Sequence, residues 1–300
     1  MKRGIKSIFL IITPFIMGVL LNSCSEDDSY VPAYLEIDSV LVDATSIEGN
    51  GVHHITSIQI YHNNKTVGTF PLPCKVPIDA EGFDSIQIQA FVKNNGNSQN
   101  NVPYRVLNLL QMKVQFKRKE TVKVIPTFTY RTNTTIVWQE DFETGNSTLV
   151  PIRLNDGDKT SIVSSSFDLF GRYSGLSKTF SAEFKPIDSL KFMDLGYFER
   201  IKSLPWDGRE VFMEFDIKTE IPVTLALKRF YDGGEQYVPY MTVNPTKGIW
   251  KRIYSNLVYE IQGQPASTQY DVYFSADKEA TFNGNHQILF DNIRLSYLKE

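Results

Sequence analysis

Two acidic pairs stand at a spacing that carboxylate chemistry uses. Glu36-Ile37-Asp38 and Glu214-Phe215-Asp216 each set two carboxylates two residues apart. On a strand that spacing puts both on one face. Retaining glycoside hydrolysis needs two carboxyl groups about 5–5.5 Å apart, and an E-x-D-x-x-E pattern is one way to supply them. The third acid fails at both places: Leu41 and Thr219 stand there, and Glu220 comes one residue late. Strand alternation accounts for both fragments without catalysis. The four histidines, His53, His54, His62 and His286, form no H-E-x-x-H pair. His53 and His54 are adjacent, so on a strand they face opposite ways. G-x-S-x-G, C-x-x-C and P-loop patterns are also missing from the sequence. No residue is assigned a catalytic role, and the chain reads as not an enzyme.

The elements that would position these side chains are strands. Ile58 and Ile60 alternate with Ser57 and Gln59, and His62-Asn63-Asn64-Lys65 reads as a hairpin turn before Val67 to Phe70. Ile86, Ile88 and Ala90 alternate with Gln87 and Gln89; Met112, Val114 and Phe116 alternate with Lys113, Gln115 and Lys117. Val122 and Val124 flank Lys123. Period-two alternation bounded by Asn, Gly and Pro clusters marks half-buried strands. Asn94 to Asn101 reads as a polar loop. These features predict a small β-sandwich over 33–131. A second series begins at Ile136-Val137-Trp138. It continues through Val211 to Ile217, Val223 to Leu227, Val272 and Phe274, and closes on Ile288 to Tyr297. It predicts a jelly-roll sandwich over 136–300, linked to the first by Arg131 to Thr134. The fold class is therefore all-β.

Composition narrows the function classes. The 300 residues are 42% hydrophobic, enough for packed cores. Without residues 1–23 the balance is 28 basic against 34 acidic side chains, or −6. That balance, with no basic stripe, excludes nucleic acid as a partner. The 277 residues that remain exceed one typical domain. The sequence holds two cysteines, Cys24 and Cys74. Cys74 reads as a small buried hydrophobe.

The N-terminus reads as an address. Lys2, Arg3 and Lys6 make a positive n-region, and Ile8 to Leu21 an apolar run of 14 residues interrupted by Pro14. A spanning helix needs about 20 apolar residues, so 1–23 fits a signal peptide instead. Leu21-Asn22-Ser23-Cys24 resembles the lipobox of bacterial lipoproteins. The resemblance implies cleavage before Cys24, a diacylglycerol on its thiol and acylation of the new amine, with palmitate-type chains. Two or more acyl chains hold a protein at a membrane lastingly. Ser25-Glu26-Asp27-Asp28 opens an acidic tether over 24–32 and resembles the surface-export signal of Bacteroidota lipoproteins. The implied location is the outer membrane, lipid-anchored and exposed at the cell surface.

Short motifs at both ends of the second region carry a further resemblance. Glu140-Asp141-Phe142-Glu143-Thr144-Gly145 opens it, Phe290-Asp291-Asn292-Ile293-Arg294-Leu295 closes it, and Gly248-Ile249-Trp250 stands between. Together they resemble jelly rolls of the carbohydrate-binding-module type, and the whole layout resembles Bacteroidota surface lipoproteins. In such modules carboxylates of the first and last strands hold a structural calcium, which takes six to eight oxygens. The resemblance assigns that role to Asp141, Glu143 and Asp291, and no other cofactor is implied. Sugar rings pack on exposed aromatic faces while polar groups fix their hydroxyls. Tyr231, Tyr237 and Tyr240, on an aromatic-flanked turn over 230–240, are the candidate ligand-binding residues, with Trp206 beside them. Trp250 reads as core. Asp38-Ser39-Val40, Asp84-Ser85-Ile86 and Asp188-Ser189-Leu190 match a Bacteroidota O-glycosylation pattern at Ser39, Ser85 and Ser189. The function expected is a lipid-anchored, non-catalytic glycan-binding module. The alternative is a structural or interaction lipoprotein of an envelope assembly, with a protein partner and no sugar site.

Overall fold

The computed structural model describes residues 31–44, 51–155, 157–169, 173–184, 192–277 and 284–300. Cys24, residues 1–30 and Ser189 lie outside them. The regular secondary structure of the described residues is nearly all strand, as the alternation predicts.

Among the described residues, ten strands build the first sandwich: β1 (Ala33–Ile37), β2 (Leu41–Asp43), β3 (Ser57–His62), β4 (Lys65–Pro71), β5 (Cys74–Ile78), β6 (Gly82–Lys93), β7 (Asn101–Pro103), β8 (Leu110–Phe116), β9 (Thr121–Lys123) and β10 (Thr127–Thr129). One sheet runs β4-β3-β6-β7 with β8 also on β6; against it stand β5-β1-β9 and the pair β10-β2. Every second residue of β6 points inward: Ile86, Ile88, Ala90 and Val92 are fully buried. They pack with Leu35, Ile37, Ile58, Val76, Phe116 and Phe128. Asn63 and Asn64 both take positive φ, 51° and 59°, the conformation of a two-residue primed turn. That turn fixes the β3–β4 register. Cys74 corrects the expectation of full burial. It is half-buried on β5 opposite Ile37, and burial and nearby Asp38 push its thiol up.

The second sandwich contains β11 (Thr134–Glu140), β12 (Leu149–Arg153), β13 (Lys159–Leu169), β14 (Tyr173–Phe184), β15 (Phe192–Tyr197), β16 (Val211–Thr219), β17 (Val223–Tyr231), β18 (Gly234–Val243), β19 (Lys251–Asn256), β20 (Gln269–Asp277) and β21 (His286–Leu298). One sheet has the order β13-β14-β21-β16-β19 with β11 on β21; the other has the order β12-β15-β20-β17-β18. Between them lie Trp138, Phe180, Leu195, Phe215, Leu225, Phe274 and Phe290. Burying each such side chain contributes about 1.5–3 kcal/mol. The opening motif is a built loop. Buried Glu140 accepts the Phe142 N–H at 2.9 Å and both the Thr148 N–H and hydroxyl at 2.7 Å. Thr148 Oγ1 in turn accepts the Trp138 indole N–H at 2.9 Å. The closing motif is a bulge. Register shifts between Glu214 and Asp216 against β21, and Asn292 takes φ 49°, which bends the strand at that point. Trp250 is buried as expected, its indole N–H on the Ser166 carbonyl at 3.1 Å.

The two sandwiches share a wall. The outer face of β16, β19 and β21 is covered by the first sandwich, so Phe212 and Tyr254 belong to that sandwich's core. The Asn94–Asn101 loop departs from the expectation of a purely solvated segment. Asn94 is buried and its Oδ1 accepts the Asn256 N–H at 2.8 Å; Asn95 accepts the Ser255 hydroxyl at 2.7 Å. Val52 packs against Phe167, Leu169, Trp250 and Leu289 beside this seam.

Candidate functional site

The outer face of β12-β15-β20-β17-β18 is open, unlike its counterpart across the sandwich. Alternation decides which side chains reach it. Met193 and Leu195 point into the core, so Asp194 points out; Val272 and Phe274 point in, so Asp271, Tyr273 and Ser275 point out. Val223, Leu225 and Leu227 point in, which leaves Thr224 and Lys228 outside. Register sets Tyr237 opposite Lys228 and Pro239 opposite Ala226. All of these outward residues but Asp271, with Arg153 and Glu235, line a cleft of about 620 Å³. A second hollow of about 300 Å³, bordered by Ile152, Phe198, Arg200 and Asp271, meets it at Tyr273.

The cleft side chains are tied to one another. Tyr237 is 47% exposed, and its ring stands edge-on to Tyr273, 5.9 Å between centroids at 79°. Ser275 donates its hydroxyl to Asp194 Oδ1 at 2.6 Å, so in the Tyr237–Ser275 pair at 2.9 Å the phenol is the donor. Arg153 meets the other Asp194 oxygen at 2.9 Å. Lys228 pairs with Glu235 at 2.7 Å. That hydrogen bond holds the ammonium above its usual range. Burial, then Asp271, pushes the Tyr273 phenol up. The face thus offers an aromatic ring and fixed donors and acceptors for hydroxyls.

The four expected aromatics do not form one platform. The turn in 230–240 is only Asp232-Gly233, where Gly233 has φ 101°; Tyr237 and Tyr240 lie on β18. Tyr240 is corrected: it is three residues from Tyr237, packs against the core and has a buried hydroxyl. Tyr231 is exposed at the hairpin tip. Trp206 is 50% exposed but sits by the one-turn helix Val258–Ile261, its carbonyl accepting the Gly263 N–H at 2.9 Å. Tyr273, Ser275, Asp194 and Arg153 are functional candidates that the sequence reading missed.

The three expected calcium ligands are brought together only in part. Ser177 Oγ lies 3.0 Å from Glu143 Oε1 and 2.8 Å from Asp291 Oδ2. Asp141 instead accepts the Glu143 N–H in its own loop at 3.2 Å. Among the described residues, no three His, Cys, Asp or Glu side chains are placed to hold a metal ion. Asp291 is pushed up to about 8, by burial first and then by Asp216 and Glu143. The residues shown therefore fit a proton on Asp291, which can donate to Ser177 while Ser177 donates to Glu143.

Both acidic pairs have structural partners. Arg252 bridges Glu214 at 2.8 Å and Asp216 at 3.1 Å, all three buried. Lys123 meets Glu36 at 3.1 Å and also Asp38. Ser85 is exposed on β6, beside Asp84, whose carboxylate lies 2.7 Å from His62 Nε2. Ser39 is half-buried between β1 and β2.

No family model matches the chain, and no curated protein does. Among solved structures, the xylan-binding domain CBM22-2 of Paenibacillus barcinonensis Xyn10C is similar over 53% of this chain and 98% of that one, at 13% identity and TM-score 0.36. The family 11 carbohydrate-binding module of Clostridium thermocellum Lic26A-Cel5E is similar over 55% and 95%, at 16% identity and TM-score 0.35. The all-β, two-sandwich class of this protein rests on its own sheet order and cores.

Proposed function

We propose that the protein is a non-catalytic glycan-binding module held at a membrane by lipid on Cys24. One observation carries the binding half of this reading. The open face of the second sandwich bears a cleft in which Tyr237 is exposed, locked against Tyr273 and surrounded by fixed polar groups. Apolar ring faces of sugars pack on such rings, and paired polar groups hold hydroxyls in place. Tyr237 is the stacking residue, Tyr273 its support, and Asp194, Ser275, Lys228 and Glu235 the hydroxyl-binding groups. The reading needs no cofactor. The calcium expected at Asp141, Glu143 and Asp291 is a further proposal, and it would replace the Asp291 proton.

The anchoring half rests on the sequence through Cys24, with the acidic run after it favouring the outer surface. Ser39, Ser85 and Ser189 are proposed sites of O-glycosylation. Two experiments test the account. Purified chain without its signal segment, which keeps every contact described above, is titrated with soluble polysaccharides; failure of all of them sinks the glycan reading. Alkyne-palmitate labelling of cells expressing wild type and Cys24→Ala checks the anchor. Equal label in both would refute it.

A further inference from the structure

The charged groups of the cleft are already paired with one another. Arg153 meets Asp194 at 2.9 Å, Lys228 meets Glu235 at 2.7 Å, and Arg200 meets Asp271 at 3.1 Å. Arg200 is held a second time, its guanidinium 3.5 Å from the Phe230 ring centroid. Among the described residues lining the two hollows, these three cations stand beside four carboxylates, Glu199 being the fourth.

This pairing discriminates between ligands. An uncharged hydroxyl can donate to a paired carboxylate or accept from a paired ammonium without separating the two, because each group has spare capacity. A ligand carboxylate or sulfate can reach the spare donors of Arg153 or Lys228 only beside Asp194 or Glu235, the carboxylates that already neutralise those cations. There it meets a second negative charge within a few ångströms, and like charges at that range repel. We infer that the cleft selects uncharged glycan chains and rejects chains bearing uronate or sulfate groups. This inference rests on the glycan reading and adds the chemical class of ligand. It also assigns Asp194 and Glu235 a second task, keeping the cleft from attracting anions.

The test pairs each neutral chain with a charged form of itself. Mixed-linkage β-glucan, glucomannan, arabinoxylan and β-1,4-galactan are titrated beside their carboxymethylated derivatives, at low and high salt. For any backbone that binds, the carboxymethylated form is expected to bind about tenfold or more weakly at low salt, the gap narrowing as salt screens the repulsion. Neutral binding should change less than about twofold over the same range. Glu235→Gln, at an exposed position, frees Lys228 and should recover part of the lost binding to the charged form. If a carboxymethylated chain binds as tightly as its neutral parent or more so, and Tyr237→Ala abolishes that binding, selectivity is overturned while the glycan reading stands. Failure of every chain, neutral and charged, overturns the glycan reading and the selectivity with it.

Discussion

Tyr237 combines two functions that substitution can separate. Its ring offers a face to the cleft, and its hydroxyl donates to Ser275, which donates to Asp194. Tyr237→Phe keeps the ring and breaks only that relay, so polysaccharide affinity should fall no more than about threefold, well under the 1.4 kcal/mol that equals tenfold. Tyr237→Ala removes the ring and should cost about tenfold or more. Because the side chain is exposed, neither change should lower the melting temperature noticeably. Titration calorimetry of both variants checks the split; equal losses would place the recognition in the hydroxyl. Asp291 gives a prediction of a different kind. Its folded-state carboxyl sits at about 8 against an ordinary 3.8, so between those values the folded state holds the extra proton. Stability is therefore full at low pH and lost as pH rises through 8. His54, pulled down to about 4 by burial, Lys93 and Arg252, acts in the opposite sense between 4 and 6.5. Asp216, pushed up to about 6 chiefly by burial, acts in the same sense as Asp291 below that value, so Asp291 dominates only in the window from 6.5 to 8. In EDTA, stability should decline there by at most about 1.4 kcal/mol per pH unit, and Asp291→Asn should flatten the decline. A flat wild-type profile would contradict the assignment.

At the scale of elements, the cleft floor depends on how closely β15 lies against β20. Gly196 stands opposite Tyr273. A Cβ there would meet the Val272 carbonyl oxygen at 2.6 Å and Ile152 Cγ1 at 3.1 Å. Gly196→Ala must push backbone apart, which should cost about 1–3 kcal/mol in urea unfolding and weaken glycan binding as well. Unchanged stability would show that β15 has room to shift. This site was half legible in the sequence. The alternation that sends Val272 and Phe274 inward necessarily sends Asp271, Tyr273 and Ser275 outward, so the β20 contribution was readable. The same parity separates Tyr237 from Tyr240, but reading 230–240 as a turn hid it. Pro239 disguises β18 further, since proline fits a strand only where its missing N–H is not needed, as on an edge. Long-range placement was not readable. Nothing local in Arg153 or Asp194 announces that β15 lies between β12 and β20. The bulge at Asn292 turns a motif that resembles a ligand set into a strand irregularity.

The whole molecule is two sandwiches joined through buried charge. Arg252 lies between Glu214 and Asp216, and Tyr104 of the first sandwich donates its hydroxyl to Glu214. Arg294 reaches Tyr130 across the same seam, and the His54 N–H donates to the Tyr254 hydroxyl at 2.8 Å. Burial first, then Glu214, holds the phenol of Tyr254 above its usual range against the opposing pull of Arg252. Glu214 and Asp216, which the sequence offers as a catalytic echo, are consumed by this seam. Arg252→Met leaves both carboxylates buried without their cation and should cost about 3–5 kcal/mol. Replacing all three together by apolar residues should recover much of that loss, because desolvated charge pairs gain little over good packing. Thermal unfolding of the two variants measures both effects; a single-variant cost under about 1 kcal/mol would mean that water reaches the seam. Such a joint presents the open sheet of the second sandwich outward while the first sandwich covers the opposite one. The account's central claim is that this open sheet binds glycan through Tyr237. Titration calorimetry of wild type and Tyr237→Ala against the neutral polysaccharides tests it most directly. Saturable binding to at least one, weakened about tenfold or more by the substitution, is the predicted result; binding that Tyr237→Ala leaves intact, or no binding at all, would contradict it.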